Sequence, residues 1–328
     1  MQGDTVKSYV GLRSFKRKDG KVHLNGSPYF LKMVLDQGYW PDGIYTAPTD
    51  DALRFDVEAA KALGFNGARK HQKVEDPRWL YWADTLGLIT WGETGNAYGF
   101  TSESRANFLA EWPSVVERDI NHPCIMAWVP FNESWGLEGV KDSVEIQQFV
   151  REVINLTHAL DPERFVIGND GWEQSSETDL FGVHDYEQDA AVLHNRWADA
   201  GSTKFSPRDY NGIAPLAHGQ RYSGQPVMLS EYGGIAFKSN GHAQGTDWGY
   251  GHTAVESGEL FSRFKGLTCA LLSIDGLAGY CYTQLTDVEQ EINGLLTYDR
   301  KFKIDPLRMA ALQTKIFRNA PVEEEALV

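Results

Sequence analysis

Cysteine and long apolar runs are scarce in this sequence, and their scarcity excludes several classes of protein. Only three cysteines occur in 328 residues, at positions 124, 269 and 281. An odd set without Cys-x-x-Cys spacing predicts neither a disulfide framework nor a zinc cluster. No run of about 18 apolar residues is present, so we expect no membrane-spanning helix. The first residues also lack the basic and apolar regions of a secretory signal, which favours a cytoplasmic protein.

Positive charge is in deficit as well. The chain has 31 Lys and Arg against 45 Asp and Glu, a formal net charge of −14. Such a protein repels nucleic acids and anionic membranes, so we expect neither as a partner. What is abundant is apolar and aromatic side chains, at 42% and 12% of the residues, enough for one large domain or two ordinary ones. The 10 Trp include flat rings that suit sugar faces, although most single aromatic residues pack in a core.

Short apolar runs alternate with amphipathic stretches along the chain, as in repeated βα units. Eight runs predict strands, at 29–36, 65–71, 88–93, 124–129, 165–168, 180–183, 226–229 and 277–282. Helices are predicted at 50–63, 77–86, 104–120 and 141–160, and a long loop at 199–224. The pattern predicts an α/β fold, a (β/α)8 TIM barrel at 21–320 between a linker at 1–20 and an acidic tail at 321–328.

Two glutamates follow apolar strands of the predicted barrel, Glu133 after the fourth and Glu231 after the seventh. Residues at the carboxyl ends of barrel strands converge on one open face. Hydrolysis of a glycosidic bond needs a proton donor and a second carboxylate, and a separation of about 5 Å lets the second act as nucleophile. The charge of the nucleophile is then expected to raise the pKa of the donor, which keeps its proton. We predict a retaining glycosidase with Glu133 as acid/base and Glu231 as nucleophile.

Several motifs carry a resemblance to a known family. They are the 128–136 segment with the single Asn-Glu dipeptide of the chain, the Ser-Glu-Tyr-Gly block at 230–233, and residues 295–301. From about 26 to 305 the chain resembles the catalytic barrel of glycoside hydrolase family 2, the β-galactosidases and β-glucuronidases. The resemblance implies that Asn132 hydrogen-bonds the 2-hydroxyl of the sugar and that the anomeric configuration is retained. It also implies that residues 8–13 are the last strand of a preceding sandwich domain, so that missing N-terminal domains are natural partners of the barrel.

The same resemblance narrows the expected substrate. β-Glucuronidases of the family grip the substrate carboxylate with an Asn-x-Lys pair, and the corresponding segment here, 289–294, has no Lys. Many of the β-galactosidases hold magnesium with a Glu-x-His pair, whereas this chain has Glu93-Thr-Gly95. We therefore expect an exo-acting enzyme for a terminal neutral sugar, a β-galactoside first, with no metal and no cofactor.

Further polar and aromatic residues at the predicted strand ends are candidate substrate contacts. They are Asp36, Arg69, His71, Glu93, Trp135, Asp170, Trp172, His184, Tyr186 and Gln284. Tyr186 is expected to hydrogen-bond the nucleophile. A purely structural role is the alternative for each, such as a satisfied core histidine at position 71 or a loop cap at position 170.

Two other functions stay open at this stage. The first is a non-catalytic carbohydrate-binding barrel left by truncation of a multidomain glycosidase, since its two glutamates would look the same. The second is a metal-dependent barrel hydrolase using His71 and His184, although the chain lacks an H-x-H pair and the HExxH motif. A carbohydrate is the expected partner, and self-association into a homo-oligomer is left open.

Overall fold

The protein was analysed as a computed structural model that describes residues 3, 5–239 and 245–314. Its strands are β1 (Phe15–Lys18), β2 (Lys21–Leu24), β3 (Ser27–Pro28), β4 (Leu31–Asp36), β5 (Gly67–Lys70), β6 (Ile89–Glu93), β7 (Ile125–Val129), β8 (Phe165–Val166), β9 (Phe181–Asp185), β10 (Val227–Gly233), β11 (Ile235–Phe237), β12 (Tyr250–Ala254) and β13 (Leu277–Thr283). Its helices are α1 (Asp50–Ala62), α2 (Pro77–Leu86), α3 (Ser102–Asp119), α4 (Val144–Leu160), α5 (Ala190–Trp197), α6 (Ser257–Leu272) and α7 (Pro306–Thr314).

Eight of these strands form one curled parallel sheet. The strands β5, β6, β7 and β8 follow one another on one side of β4, and β13, β10 and β9 follow one another on its other side. β8 and β9 are the two edges of this sheet, and an isolated parallel bridge joins Gly171, which follows β8, to Val183 in β9. Each of the eight predicted strands is present, and the predicted (β/α)8 barrel is confirmed. The differences lie at strand ends, where β10 and β13 run further than predicted and β8 is only two residues long.

The predicted helices α1 and α2 begin at the expected signals, whereas α3 begins two residues before its predicted start and α4 begins three residues after it. Thr49 caps α1 by accepting a hydrogen bond from the Ala52 amide at 3.1 Å, and α2 starts at Pro77 after the Asp76 cap. The helices α5, α6 and α7 were not predicted; α5 has only eight residues, and no side chain caps α6 at Glu256. Among the described helices, none combines the length and the apolar character needed to cross a bilayer.

The amino-terminal end of the barrel is closed by an antiparallel sheet of β1, β2 and β3, which was not predicted. Phe15 and Val22 from this sheet are buried against interior residues such as Met33 and Met126. Residues 8–13, expected to be the last strand of a preceding sandwich domain, have no ladder partner among the described residues, and that expectation stays a prediction. Within this segment Tyr9 donates a hydrogen bond to Asp84 at 2.6 Å. The predicted tail at 321–328 lies outside the described residues.

Candidate active site

The two predicted catalytic glutamates lie at irregular points of the backbone at the carboxyl end of the barrel. Glu133 follows β7 and has φ of +54°, a left-handed conformation that is costly for a residue with a side chain. Its amide donates to the Asp170 carbonyl at 2.9 Å, which holds the loop in this conformation. Glu231 lies within β10 beside a register shift against β9. Such irregularities redirect side chains, and here both carboxylates enter the same space.

The carboxylates of Glu133 and Glu231 come close together. One oxygen of each lies within 4.8 Å of the other, and a ring nitrogen of His184 lies within the same distance of both. The Glu133 side chain is 20% exposed and that of Glu231 is 5% exposed, so the first faces the opening more than the second. This upper limit agrees with the roughly 5 Å between the carboxyl groups of enzymes that form and hydrolyse a glycosyl-enzyme, and it is shorter than the spacing in inverting enzymes.

Arg69, at the end of β5, connects most of the site. Its guanidinium is fully buried and donates through Nε to Glu93 at 2.7 Å. Nη1 lies 2.8 Å from Asp170 and 3.2 Å from Glu231, and it donates to the Ser230 carbonyl. The planar fork thereby holds acidic groups from three different strand ends at fixed positions.

Asn132 is held by the same arginine. Nη2 of Arg69 donates to Oδ1 of Asn132 at 3.0 Å, which fixes the plane of the amide. The Nδ2 of Asn132 is buried and has no hydrogen-bond partner among the described residues. A buried amide donor without a partner is costly, so this group is suited to donate to a ligand oxygen.

Tyr186, after β9, hydrogen-bonds Glu231 as expected from the sequence. Its hydroxyl donates to Oε2 of Glu231, and its ring stacks on Tyr250 with centroids 3.4 Å apart. Burial, together with the charge of Glu231, raises the pKa of Tyr186 well above its ordinary value. The phenol therefore stays protonated and remains a donor to the carboxylate across the neutral range.

His184 lies between two carboxylates, with Nδ1 2.7 Å from Oε1 of Glu133 and Nε2 2.9 Å from Oδ2 of Asp170. Burial alone would lower the pKa of His184, but the charges of Glu231 and Asp170 outweigh it and raise that pKa to about 10. Burial would raise the pKa of Asp170, but Arg69 above all holds it down at about 2. The imidazole is thus surrounded by groups that favour its cationic form.

The predicted direction of the pKa shift of Glu133 is wrong for the site without a bound sugar. The sequence predicted that the charge of Glu231 would raise the pKa of Glu133. Burial does favour its neutral form, but the hydrogen bond and charge of His184, with the charges of His71 and Arg69, outweigh burial and lower the pKa below its ordinary value. The prediction failed because it considered two carboxylates alone and not the cations packed beside them.

A cavity of about 450 Å³ opens beside Glu133. Its walls include the aromatic rings of Trp172, Tyr186, Tyr210 and Tyr250. The volume lies within the range of small-ligand sites, and flat rings with a few convergent polar groups fit a sugar.

Most of the chain matches the model of one known protein family. Residues 17–252 match the model described as "Glycosyl hydrolases family 2, TIM barrel domain". The chain belongs to glycosyl hydrolase family 2. The match covers the strand ends that carry Arg69, Glu133 and Glu231, so the paired carboxylates lie within the family barrel.

Curated relatives of this family 2 chain include a putative β-glucuronidase from Formosa agariphila, 32% identical over 189 residues, which are 54% of this chain and 22% of that protein. A β-galactosidase from Photobacterium profundum is 29% identical over 134 residues, 38% of this chain and 13% of that protein. The matched part thus spans less than a quarter of the length of either relative.

Solved structures with the same fold include the β-D-glucuronidase of Dictyoglomus thermophilum, with a TM-score of 0.72 at 18% identity, covering 93% of this chain and 54% of that one. A family 2 β-galacturonidase from Eisenbergiella tayi gives 0.69 at 18% identity, covering 93% and 55%. At these identities the likeness is evidence for the barrel fold and not for a substrate.

Six of the residues predicted to contact substrate have side chains that are almost wholly inaccessible and that pair with protein groups; they are Asp36, Arg69, Glu93, Asp170, His184 and Gln284. Asn132 is buried to the same extent, and contact of these residues with a sugar stays a prediction. His71, Trp135, Trp172 and Tyr186 keep exposed surface, and their contact with a sugar stays a prediction.

The structure also brings in residues that the sequence analysis missed. Tyr210 and Tyr250 line the cavity, and Gln37 donates to Gln284 at 3.0 Å and to Glu291 at 2.9 Å. The two tyrosines lie outside the eight barrel strands, where no hydrophobic period marks a residue as facing the site. Glu291 lies in the 289–294 segment, which was considered above only because it has no lysine. The negative charge of Glu291 itself could have marked it as a candidate.

One group of described residues has spacing suited to a metal ion: Glu133, His184 and Glu231. Both ring nitrogens of His184 already face carboxylate oxygens, so neither offers a lone pair in this arrangement. The Arg69 guanidinium, 3.2 Å from Glu231, adds a positive charge beside any cation placed there. The site is better matched to acid–base chemistry than to metal binding.

Proposed function

We propose that this chain is a retaining, exo-acting β-glycosidase that removes a terminal neutral sugar, a β-galactoside first. One observation carries the proposal: the carboxylates of Glu133 and Glu231 lie within 4.8 Å of one another at the carboxyl end of the barrel. An inverting enzyme needs about 6.5–9.5 Å to fit a water between them.

In the first half of the proposed reaction, an oxygen of Glu231 attacks the anomeric carbon while the bond to the leaving group breaks. Glu133 gives its proton to the departing oxygen, so a neutral alcohol leaves and a glycosyl ester of Glu231 remains. In the second half, Glu133 takes a proton from water, whose oxygen attacks the same carbon and releases Glu231 as a carboxylate. The configuration is inverted twice and hence retained.

Two neighbouring groups have geometry that supports these steps. The unpartnered Nδ2 of Asn132 can donate to the 2-hydroxyl of the sugar, the contact implied by the family resemblance. The Tyr186 hydroxyl, which donates to Glu231, can stabilise that carboxylate as a leaving group in the second half.

A neutral sugar is favoured by the charge beside the site. Glu291 accepts hydrogen bonds from Gln37 and Asn293, but burial outweighs them and raises its pKa; when ionised, it interacts with His71 and Tyr250. A uronate would bring a second carboxylate towards this one, in a segment without the lysine of the β-glucuronidases. The second candidate is a β-glucuronide, because one relative is a putative β-glucuronidase.

A panel of nitrophenyl β-glycosides tests the substrate class. We expect hydrolysis of the galactoside or another neutral glycoside to exceed that of the glucuronide and galacturonide at least about tenfold, a difference of about 1.4 kcal/mol in transition-state binding. Preferred cleavage of the glucuronide would replace the neutral assignment with the second candidate. Binding of sugars with no hydrolysis of any substrate would support the non-catalytic barrel.

A leaving-group series tests Glu133. Glu133→Ala should lose about 10²–10⁴-fold on an alkyl glycoside and far less on a dinitrophenyl glycoside, because a good leaving group needs no proton. Glu111→Ala, an exposed glutamate on α3, is the matched control and should change neither rate. Equal losses on both substrates would remove Glu133 from the role of acid.

A further inference from the structure

Asp170, His184 and Glu133 form a continuous chain of contacts that ends at the predicted acid/base. Asp170 itself is held by Arg69 at 2.8 Å and by the Ser230 hydroxyl at 2.8 Å. The Tyr210 hydroxyl donates to the carbonyl of His184 at 2.8 Å, and the Trp172 ring packs against the imidazole. The imidazole is therefore fixed from several sides, and it meets Glu133 in one orientation.

The donors and acceptors of Asp170, His184 and Glu133 limit the number of protons that these three groups can share. A neutral imidazole has one donor and one acceptor nitrogen, whereas an ionised carboxylate can only accept. With Asp170 ionised, Nε2 of His184 must carry a proton. The contact between Nδ1 and Oε1 of Glu133 then needs one more proton, which sits either on His184 or on Glu133. The pair shares a single proton, and the surroundings decide which partner keeps it.

We propose that His184, anchored by Asp170, is a positioning residue that keeps this proton on its imidazole and so sets the pH range in which Glu133 can act as a proton donor. The inference rests on the proposed glycosidase function, in which Glu133 is the acid/base. His184 has no exposed side-chain surface, so any effect on the sugar passes through its contact with Glu133.

The charged groups that face His184 come from four elements. Asp170 and Glu133 contact its two nitrogens, Glu231 on β10 lies 3.5 Å from Nε2, and Nη1 of Arg69 on β5 lies 3.4 Å from Nε2. Three carboxylates against one guanidinium favour an imidazolium. An imidazolium 2.7 Å from Glu133 stabilises the Glu133 carboxylate. This favours the second half of the reaction, in which Glu133 takes a proton from water, and it restricts the first half, in which Glu133 donates a proton, to lower pH.

The pH dependence of kcat/KM tests this role. With an alkyl glycoside, which needs the acid, we expect the wild-type rate to begin falling at a pH below the ordinary pKa of a glutamate. His184→Asn retains a neutral amide near the Nδ1 position without the charge, and should move this basic limb up by about 1–3 pH units. A dinitrophenyl glycoside, which needs no acid, should show no such shift. His122→Asn, which breaks a histidine–aspartate pair with Asp84 at the other end of the barrel, should leave both profiles unchanged.

A spectroscopic titration tests the same inference without substrate. NMR of ring-labelled histidine, assigned by the His184→Asn spectrum, should find His184 protonated through neutral pH in the free protein. Glu133→Gln should lower its titration midpoint by at least about one unit, since one carboxylate partner is lost. A His184 that is neutral at pH 7, or a basic limb unmoved in folded His184→Asn, would overturn the proposal. If wild type hydrolyses no glycoside at any pH, the proposed function fails, while the titration still decides the state of His184.

Discussion

The guanidinium of Arg69 is shared between carboxylates that are far apart in sequence. It contacts Glu93, Asp170 and Glu231 and also fixes the amide of Asn132. Burying one cation among several anions is tolerable only when each hydrogen bond is made in the right direction. The positions of Asn132 and Glu231 relative to a sugar therefore depend on a residue that has no surface for the sugar itself.

Replacing Arg69 should damage both stability and activity. Arg69→Met leaves buried carboxylates without their cation, so we expect a loss of about 3–5 kcal/mol in the free energy of unfolding. Arg69→Lys keeps the charge but not the fork, and should lower kcat/KM by at least about 100-fold through displacement of Asn132 and Glu231. Urea unfolding and steady-state kinetics measure the two effects. Arg54→Lys, in an exposed pair with Glu58, is the control; a comparably small effect at Arg69 would contradict its organising role.

At this scale the positions of the two glutamates were easier to predict from the sequence than their surroundings. Glu133 and Glu231 could be found because each follows an apolar strand and a short distinctive motif. The role of Arg69 could not be predicted, since its carboxylate partners lie 24 to 162 residues away in sequence and meet only when the barrel closes. For the same reason the lowered pKa of Glu133 was not foreseen: it depends on His184, which is 51 residues away in the chain.

Among the elements, β9 shows how strand packing supports the site. Gly182 in this strand faces the Asp170 carboxylate and the Ser230 hydroxyl so closely that an added Cβ would overlap Oδ1 of Asp170. Its backbone is not in the left-handed region, so the requirement for glycine here is steric. The absence of a side chain at position 182 leaves space for Asp170, whose carboxylate contacts both Arg69 and His184.

Gly182→Ala should therefore act at a distance from the reacting atoms. Overpacking at this point should cost about 1–3 kcal/mol in the free energy of unfolding. It should also lower kcat/KM at least about tenfold, because Asp170 must move. The matched control is Gly266→Ala inside α6, where the nearest atom is 3.9 Å from the added Cβ; we expect stabilisation by about 0.5–1 kcal/mol and unchanged kinetics. Equal behaviour of the two variants in unfolding and rate assays would contradict this account of β9.

The elements themselves were predictable where local signals were strong. Most of the eight barrel strands are buried apolar runs, with β5 (Gly-Ala-Arg-Lys) the exception, and α1 and α2 carry side-chain caps that mark their starts. The helices α5 to α7 and the small sheet of β1 to β3 were missed, because α5 is short, α6 lacks a side-chain cap, and β1 is mostly exposed. Tertiary packing rather than local sequence specifies these elements.

At the scale of the whole molecule, the two ends of the barrel are lined by different kinds of side chain. The amino-terminal end is filled by apolar side chains under β1 and β2, with Phe15 and Val22 against the interior. The carboxyl end holds the buried ion pairs of the site. These buried charged side chains therefore also contribute to the free energy of unfolding, so stability should depend on pH.

The His184 contribution to stability has a defined pH window. Its pKa is 6.5 in an ordinary setting and about 10 in the fold, so the folded state holds more protons between these values. The contribution is complete below pH 6.5 and is lost as pH rises through 10. The difference in unfolding free energy between wild type and His184→Asn should shrink across this window, by at most about 1.4 kcal/mol per pH unit. Val150→Ala on α4 is the control with a pH-independent difference; a constant difference for His184→Asn as well would contradict a charged His184.

The central claim is that Glu231 forms a covalent bond to the sugar while Glu133, within 4.8 Å, acts as acid and base. Trapping with an activated 2-deoxy-2-fluoroglycoside of the preferred sugar, followed by peptide mapping, tests it most directly. The account predicts a single fluoroglycosyl ester on Glu231 in wild type and no label in Glu231→Ala. A label on another residue, or steady turnover that releases the inverted anomer without a trapped ester, would contradict it.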